Sequence, residues 1–238
     1  MNISLIGYGK MGQTIERIAI ERGHTIVLKI TSKNVDEFNL ASLKNTDVAI
    51  EFSKPEAAFA NVLKCLDASV NVVCGTTGWN KELPIAEQKA IENKCAFLQA
   101  SNFSIGVNLF FEINKQLAHL MKKHLEYDVS IEETHHVHKK DAPSGTAITL
   151  AEQIIHNMSI KKNWHLGYNE DKNSVPILAR RTDNVPGTHT VKYTSAIDDI
   201  EIIHTAHNRD GFALGAVLAA EFIKDKQGVF TMKDILGI

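Results

Sequence analysis

Cysteine is scarce in this chain. Three thiols, Cys65, Cys74 and Cys95, stand in 238 residues. An odd number in apolar contexts excludes a disulfide-stapled scaffold and reads as reduced, buried thiols. Long hydrophobic runs are missing too. No apolar stretch approaches the roughly 20 residues that span a bilayer, so no membrane partner is expected. Neither sign of charge dominates: 26 Lys and Arg against 28 Asp and Glu leave a formal net charge of −2. That balance gives no reason to expect nucleic acid or an anionic membrane surface. Internal repeats and low-complexity segments are absent. Met1-Asn2-Ile3-Ser4 runs straight into a strand, with no signal peptide expected before it, and the expected location is the cytoplasm. What remains is an ordinary globular composition, 44% hydrophobic and 23% charged. The length suits one large domain or two modest ones.

The first pattern to stand out lies at the N-terminus. Ile3 to Ile6 reads as a short apolar strand. Gly7-Tyr8-Gly9-Lys10-Met11-Gly12 follows at once, and Ile15, Ile18 and Ala19 then recur at helical spacing up to Gly23. This is G-x-G-x-x-G between a strand and a helix, the setting that gives the motif meaning. Gly7 permits the turn, Gly9 lets backbone approach a pyrophosphate, and Gly12 lets helix and strand pack closely. A glycine turn without a ligand is the alternative reading.

The second strand is expected over His24 to Ile30. An acidic residue after it would hold adenosine ribose hydroxyls, and a cation would meet a 2′-phosphate. The residues are Thr31-Ser32-Lys33, with no acid. Lys33 leans the reading toward NADP, with a solvated loop lysine as the alternative. A strand over Asp47 to Phe52 leads to Ser53, a candidate cap, and to a helix over Pro55 to Leu66. A buried strand over Asn71 to Cys74 ends in Gly75-Thr76-Thr77-Gly78. A helix over Pro84 to Asn93 and a strand over Cys95 to Ala100 lead to Ser101-Asn102-Phe103-Ser104. Three such loops at the C-terminal ends of parallel strands would line one cleft of a doubly wound sheet. Taken alone, the later two are ordinary strand-to-helix turns.

The pattern changes after a long helix expected over Ile105 to Lys123. Tyr127 to Thr134 alternates like a strand. His135, His136, His138, Lys139 and Lys140 then run polar and cationic into the breaker cluster Asp141-Ala142-Pro143-Ser144-Gly145. Helical spacing resumes from Thr146 to Met158. Ser144 is placed to cap that helix, leaving free N–H groups and a positive dipole end below the loop. Basic side chains above a helix N-terminus form a receptor for anionic oxygen, and His and Lys there are usual proton donors. Crowded cations are expected to depress each other's pKa, easing proton release from a lysine. The alternative is a solvated charged loop. Metal is not expected, because the three histidines lack helical i, i+4 spacing and no cysteine is near.

Strand signals dominate again over Thr188 to Ser195 and Asp199 to Ala206, after a polar stretch from Ser159 to Asn184 and a turn at Val185-Pro186-Gly187. A final helix is expected over Asp210 to Lys224. The fold class is therefore α/β: an N-terminal Rossmann dinucleotide-binding domain plus an α+β substrate and oligomerisation domain with an open mixed sheet. The division expected is 1–104 with 208–238 for the first, and 105–207 for the second. An open sheet needs its second face covered, so self-association is expected.

These residues resemble the bacterial 4-hydroxy-tetrahydrodipicolinate reductases, also called dihydrodipicolinate reductases. The most specific piece is Glu133-Thr134-His135-His136-Val137-His138-Lys139-Lys140-Asp141-Ala142-Pro143-Ser144-Gly145-Thr146, similar to the family signature E-x-H-H-x-x-K-x-D-A-P-S-G-T. The Gly7 to Gly12 motif, Gly75 to Gly78 and Ala100 to Ser104 fall in the family's order. The resemblance implies reduction of a cyclic dicarboxylate imine-type substrate in lysine and diaminopimelate biosynthesis, with NADPH or NADH as cofactor. It implies that Lys139 donates a proton, that His135 donates or accepts one, and that His136, Gly145 and Thr146 bind substrate. It places Gly7, Tyr8, Gly9, Lys10, Met11, Gly12, Gly75, Thr76, Thr77, Ala100, Ser101, Asn102 and Phe103 at the cofactor; many family members carry an acidic residue after the second strand, so Lys33, the candidate for the 2′-phosphate read from the residues themselves, is a departure from the family. Arg209 and Phe212 resemble positions near the cofactor. A homotetramer is implied as well. Two other readings stay open: a different two-domain NAD(P)-dependent dehydrogenase, and an NAD(P) sensor without chemistry, which would leave His135, His136 and Lys139 without a task.

Overall fold

In the computed structural model, residues 1–168, 171–183 and 185–238 are described. The chain separates into two compact units, Met1–Ile105 with Arg209–Ile238, and Gly106–Asn208.

The first unit is a parallel sheet with helices on both faces. Its elements are β1 (Asn2–Ile6), α1 (Lys10–Glu21), β2 (Thr25–Ile30), β3 (Val48–Glu51), α2 (Pro55–Asp67), β4 (Asn71–Cys74), α3 (Leu83–Glu92) and β5 (Ala96–Gln99). A single 3-10 turn, Val35–Glu37, follows β2. α4 (Ile105–Met121) leads out of this unit, and the chain returns to it with α6 (Asp210–Ile223), β11 (Gly228–Phe230) and α7 (Met232–Leu236). The strand order is β11-β5-β4-β3-β1-β2, and each pair is parallel. The order reverses between β1 and β3, so the loops after these two strands diverge and leave a crevice. Strands this deeply covered are apolar on both faces, as β3 (Val-Ala-Ile-Glu) and β4 (Asn-Val-Val-Cys) are. Ile3, Leu5 and Ile50 pack on one side with α1 and α6, and Ile6, Ala49 and Val72 on the other with residues of α2 and α3. Emptying one such site, for example Leu98→Ala, costs about 3 kcal/mol.

The second unit is a mixed sheet with one helical layer. Its strands are β6 (Asp128–His135), β7 (Asn163–Leu166), β8 (Ser174–Arg181), β9 (Gly187–Thr194) and β10 (Asp199–Ala206), and α5 (Gly145–Asn157) joins β6 to β7. The order is β10-β9-β6-β8-β7. β9 pairs antiparallel with β6 and β10, and β8 pairs parallel with β6 and β7. Alternation in β6 sends Val129, Ile131, Glu133 and His135 inward. The first two join Leu150, Ala151 and Ile154 of α5, Val191 and Tyr193 of β9, and Phe110 and Met121 of α4 in one core. The opposite face of the sheet carries Ser130, Glu132, Thr190 and Lys192, none of them buried.

Two expectations need correction. The stretch from Ser159 to Asn184, read as polar connection, contains β7 and β8; part of it, at 169, 170 and 184, lies outside the described residues. Pro176 and the Lys-Asn-rich flanks hide these strands. β8 meets β6 only from Ile177 onward, so Pro176 is opposed by a strand on the β7 side alone. Ser53 does not cap α2. Lys54 holds that position, because the Ser53 hydroxyl is drawn inward to the buried Glu51 carboxylate. Element ends otherwise move by a residue or two, and β11 and α7 were not anticipated.

Candidate active site

In the first unit the site is made by the absence of side chains. Gly7 has φ +97°, and a Cβ there would lie 2.1 Å from the Phe52 carbonyl oxygen. Its N–H, with that of Tyr8, bonds to the Ile30 carbonyl, which seats the turn across the end of β2. A Cβ on Gly12 would meet the Gly7 carbonyl oxygen at 2.5 Å, so α1 begins in contact with the turn. Gly9 meets nothing within 4 Å and faces open space. Beside it lies a cavity of about 440 Å³ lined by Gly7, Tyr8, Gly9, Thr31, Ser32, Ser53, Lys54 and Asn61, among others. No acidic side chain lines it among the described residues. A second hollow of about 270 Å³ is lined by Met11, Phe52, Gly75, Ser101, Asn102, Phe103, Arg209 and Phe212. A Cβ on Gly75 would collide with the Phe52 ring at 2.1 Å, so that glycine keeps the shared wall thin. These two hollows, with a glycine turn and a helix start between them, fit an extended dinucleotide.

Not every residue assigned to the cofactor faces these hollows. Lys10, Gly12, Lys33, Thr76, Thr77 and Ala100 line neither. Thr76 is buried and its hydroxyl accepts the Ser53 N–H, tying the loops after β3 and β4 together. Lys33 is exposed, with its N–H bonded to the Thr31 hydroxyl. Lys54 is the lysine that lines the larger cavity. Phe103 is only 2% exposed and packs against Phe52, ring centroids 5.6 Å apart.

In the second unit the site is made of charge. β6 ends at His135, and the segment 136–143 returns to the start of α5. The Ser144 hydroxyl accepts the Ala147 N–H as the helix cap, and Ile148 N–H bonds to the Ser144 carbonyl. The N–H groups of Gly145 and Thr146 remain as open donors of the first turn. Lys139 Nζ reaches both carboxylate oxygens of Asp141, at 2.9 and 2.8 Å. His136 is half-buried and His138 exposed, their rings 6.2 Å apart.

His135 itself is buried, its ring edge-on to His189 of β9 with centroids 5.0 Å apart. The close approach is possible because Gly187 stands opposite: a Cβ there would lie 3.1 Å from His135 Nε2. Burial, helped by nearby Lys139 and Arg181 and opposed by Glu133, holds the His135 pKa below the ordinary histidine value. The ring is therefore neutral at pH 7 and able to accept a proton. Burial also pushes His189 down, to about 3. Lys139 holds the Asp141 carboxyl below its usual range. The expected crowding of cations thus acts on the histidines, while Lys139 is partnered by a carboxylate. Glu133, His135 and His189 bring three metal-ligating side chains together, with ligand atoms within 4.8 Å of one another. Both Glu133 oxygens already accept the Ser144 N–H, and the Arg181 guanidinium lies 3.3 Å away. A bound cation would have to share that carboxylate with the Arg181 guanidinium.

Comparison with known proteins decides the family. The family description "Dihydrodipicolinate reductase, N-terminus" matches residues 1–103, and "Dihydrodipicolinate reductase, C-terminus" matches residues 106–236. The chain belongs to the dihydrodipicolinate reductase family. A 4-hydroxy-tetrahydrodipicolinate reductase of Christiangramia forsetii is 53% identical over 100% of this chain and 98% of that protein. One from Alkaliphilus oremlandii is 34% identical over 97% and 95%. Among solved structures, a dipicolinate-bound dihydrodipicolinate reductase from Paenisporosarcina sp. TG-14 shares the fold, with TM-score 0.78 at 24% identity, covering 97% of each chain. The activity is that of the family: NAD(P)H-dependent reduction of 4-hydroxy-tetrahydrodipicolinate in lysine and diaminopimelate biosynthesis.

In this dihydrodipicolinate reductase the polar residues of one contiguous stretch are joined at the site by others that fold in from elsewhere and carry no motif in the sequence. Arg181 and His189 come from strands β8 and β9, and their only local sign is a cation and a histidine on alternating positions near the ends of strands. No helix among the described residues is long and apolar enough to cross a membrane.

Proposed function

We propose that Lys139 donates the proton in this reduction and that His135 donates or accepts one at the reacting ring. His136 and the N–H groups of Gly145 and Thr146 hold the substrate carboxylates. The observation that carries this reading is the start of α5: two open backbone donors at a helix N-terminus, at the end of the loop that follows His135 and carries Lys139. A planar ring with two carboxylates, such as the dipicolinate seen in the Paenisporosarcina reductase, suits such a receptor. His135, kept neutral by burial, offers an accepting nitrogen. Lys139 carries the transferable proton once substrate draws it from Asp141. When bound, the nicotinamide cofactor supplies the hydride. Gly7, Tyr8, Gly9, Lys10, Met11 and Gly12 would hold its phosphates, and Gly75, Thr76, Thr77, Ala100, Ser101, Asn102 and Phe103 its nicotinamide half. NADPH should serve at least as well as NADH, because the residues after β2 that line the cavity, Thr31, Ser32 and Val35, include no acid to repel a 2′-phosphate.

The division of labour between domains 1–104 with 208–238 and 105–207, a cytoplasmic location and a homotetramer belong to the same proposal. The uncovered sheet face supports the last of these. The test is oxidation of NADPH and of NADH, with substrate generated in place from pyruvate and aspartate semialdehyde by the preceding enzyme. Rapid oxidation, inhibited by dipicolinate, is the expected result. A protein that binds cofactor yet oxidises neither would overturn it.

A further inference from the structure

Glu133 occupies a position where the chain has reason to place an apolar residue. It lies on the inward face of β6 directly after Val129 and Ile131, and it is 0% exposed. A buried carboxylate survives only where partners replace its water. Here those partners all belong to the candidate site. Both oxygens accept the N–H of Ser144, the cap of α5, at 3.1 and 3.0 Å. Arg181 Nη2 lies 3.3 Å from Oε1 and also donates to the Asp141 carbonyl at 2.6 Å. His135 Nδ1 is 3.6 Å from Oε2, beyond hydrogen-bonding reach but close enough for the charge to act on the ring. Across the same carboxylate, Ser144 Oγ stands 3.1 Å from His189 Nε2. That hydroxyl also accepts the Ala147 N–H as the cap of α5, so His189 is tied to the same helix start.

We propose that Glu133 is a positioning residue for the reaction: its buried carboxylate fixes the start of α5, the Lys139-bearing loop through Arg181 and Asp141, and the ring of His135 in one arrangement. The proposal rests on the roles given above to His135, Lys139 and the α5 N-terminus. Glu133 touches none of the reacting groups and acts through its neighbours. Without it, Ser144 N–H loses its acceptor, Arg181 loses its counter-charge, and the loop loses the guanidinium that clasps the Asp141 carbonyl. The groups that face His135 are Glu133 on its own strand, Lys139 and Asp141 on the loop, Arg181 on β8 and His189 on β9. Of the two carboxylates that favour its charged form, Glu133 has the larger effect.

The test uses the full-length enzyme and Glu133→Gln, which keeps the shape and an acceptor for Ser144 while removing the charge. The His135 ring is followed by NMR from acid to neutral pH. Its midpoint should move to lower pH in Glu133→Gln, because the charge favouring the protonated ring is gone. kcat should fall on the order of 10²-fold, the lower end of what a displaced general acid or base costs, with KM for NADPH unchanged. Glu133→Asp should recover part of both. Should Glu133→Gln fail to fold, Arg181→Gln carries the test: kcat falls by a similar factor and the His135 midpoint moves up. A folded Glu133→Gln, or in its stead Arg181→Gln, with unaltered kcat and an unaltered His135 midpoint overturns the proposal. The titration is read without turnover, so it stands even if wild-type enzyme proves inactive on the substrate, which would overturn the function proposed above instead.

Discussion

The turn at Gly7–Gly12 and the loop at His135–Thr146 do similar work by opposite means. The first clears space: Gly7 and Gly12 sit where a Cβ would strike the Phe52 carbonyl or the turn's own carbonyl, Gly9 faces open space, and what it presents is backbone N–H groups. It holds no histidine and no carboxylate. The second fills space with titratable groups: a buried carboxylate, two buried neutral histidines, an arginine and an ion-paired lysine. A receptor for cofactor phosphates, which stay ionised throughout the reaction, can be steric. A site that must move a proton needs groups whose charge is set by burial and neighbours. The two regions should therefore fail differently when perturbed.

The largest expected effect is on turnover. Lys139→Ala should lower kcat by about 10²- to 10⁴-fold, the usual worth of a positioned acid, with cofactor affinity retained. Steady-state kinetics alongside cofactor titration checks this, and parallel loss of cofactor binding would erase the contrast between the regions. On the steric side, Gly7→Ala should destabilise the first unit by about 3 kcal/mol through a strained φ and a collision with the Phe52 carbonyl. Denaturant unfolding measures it. An unchanged midpoint would show that the turn can shift.

Third comes pH. His189 has a folded pKa of about 3 against an ordinary 6.5. Between those values the unfolded chain binds the proton and the folded chain does not, so stability falls as pH drops below about 6.5. Between pH 7 and pH 5 this residue should cost about 2 kcal/mol, and His189→Asn, which keeps a hydrogen-bonding group for Ser144, should remove that loss. Equal pH dependence in both proteins would refute the assignment. The smallest effect concerns cofactor choice. Lys33→Ala should shift the NADPH-to-NADH ratio by under about fivefold, the reach of an exposed charge, because Lys33 does not line the cavity. Lys54→Ala should shift it more. The reverse order would restore Lys33 as the reader of the 2′-phosphate.

Much of the first unit was legible because its signals are local. β1, the glycine turn and α1 are consecutive, and the short apolar strands at 48–51, 71–74 and 96–99 announce a covered parallel sheet. The cap at Ser144 was legible for the same reason, since an N-cap bonds three residues ahead. β7 and β8 were not, because Trp164, Val175 and Ile177 acquire an apolar environment only when α5 lies across them. Arg181 and His189 could not be tied to the site either. One lies 48 residues beyond Glu133 and the other 45 beyond Ser144, and no period in the chain connects them.

By itself the sequence determined where the turns, caps and covered strands fall, and which residue types gather between β6 and α5. Those depend on hydrogen bonds and packing within a few residues. The tertiary structure alone decided which titratable groups are charged. It buried Glu133 with the Ser144 N–H and the Arg181 guanidinium as partners, set the His135 ring edge-on to His189 beside a glycine, and turned the Thr76 hydroxyl inward. Burial and long-range pairing set the cost of each charge, and neither exists until the strands have found their register.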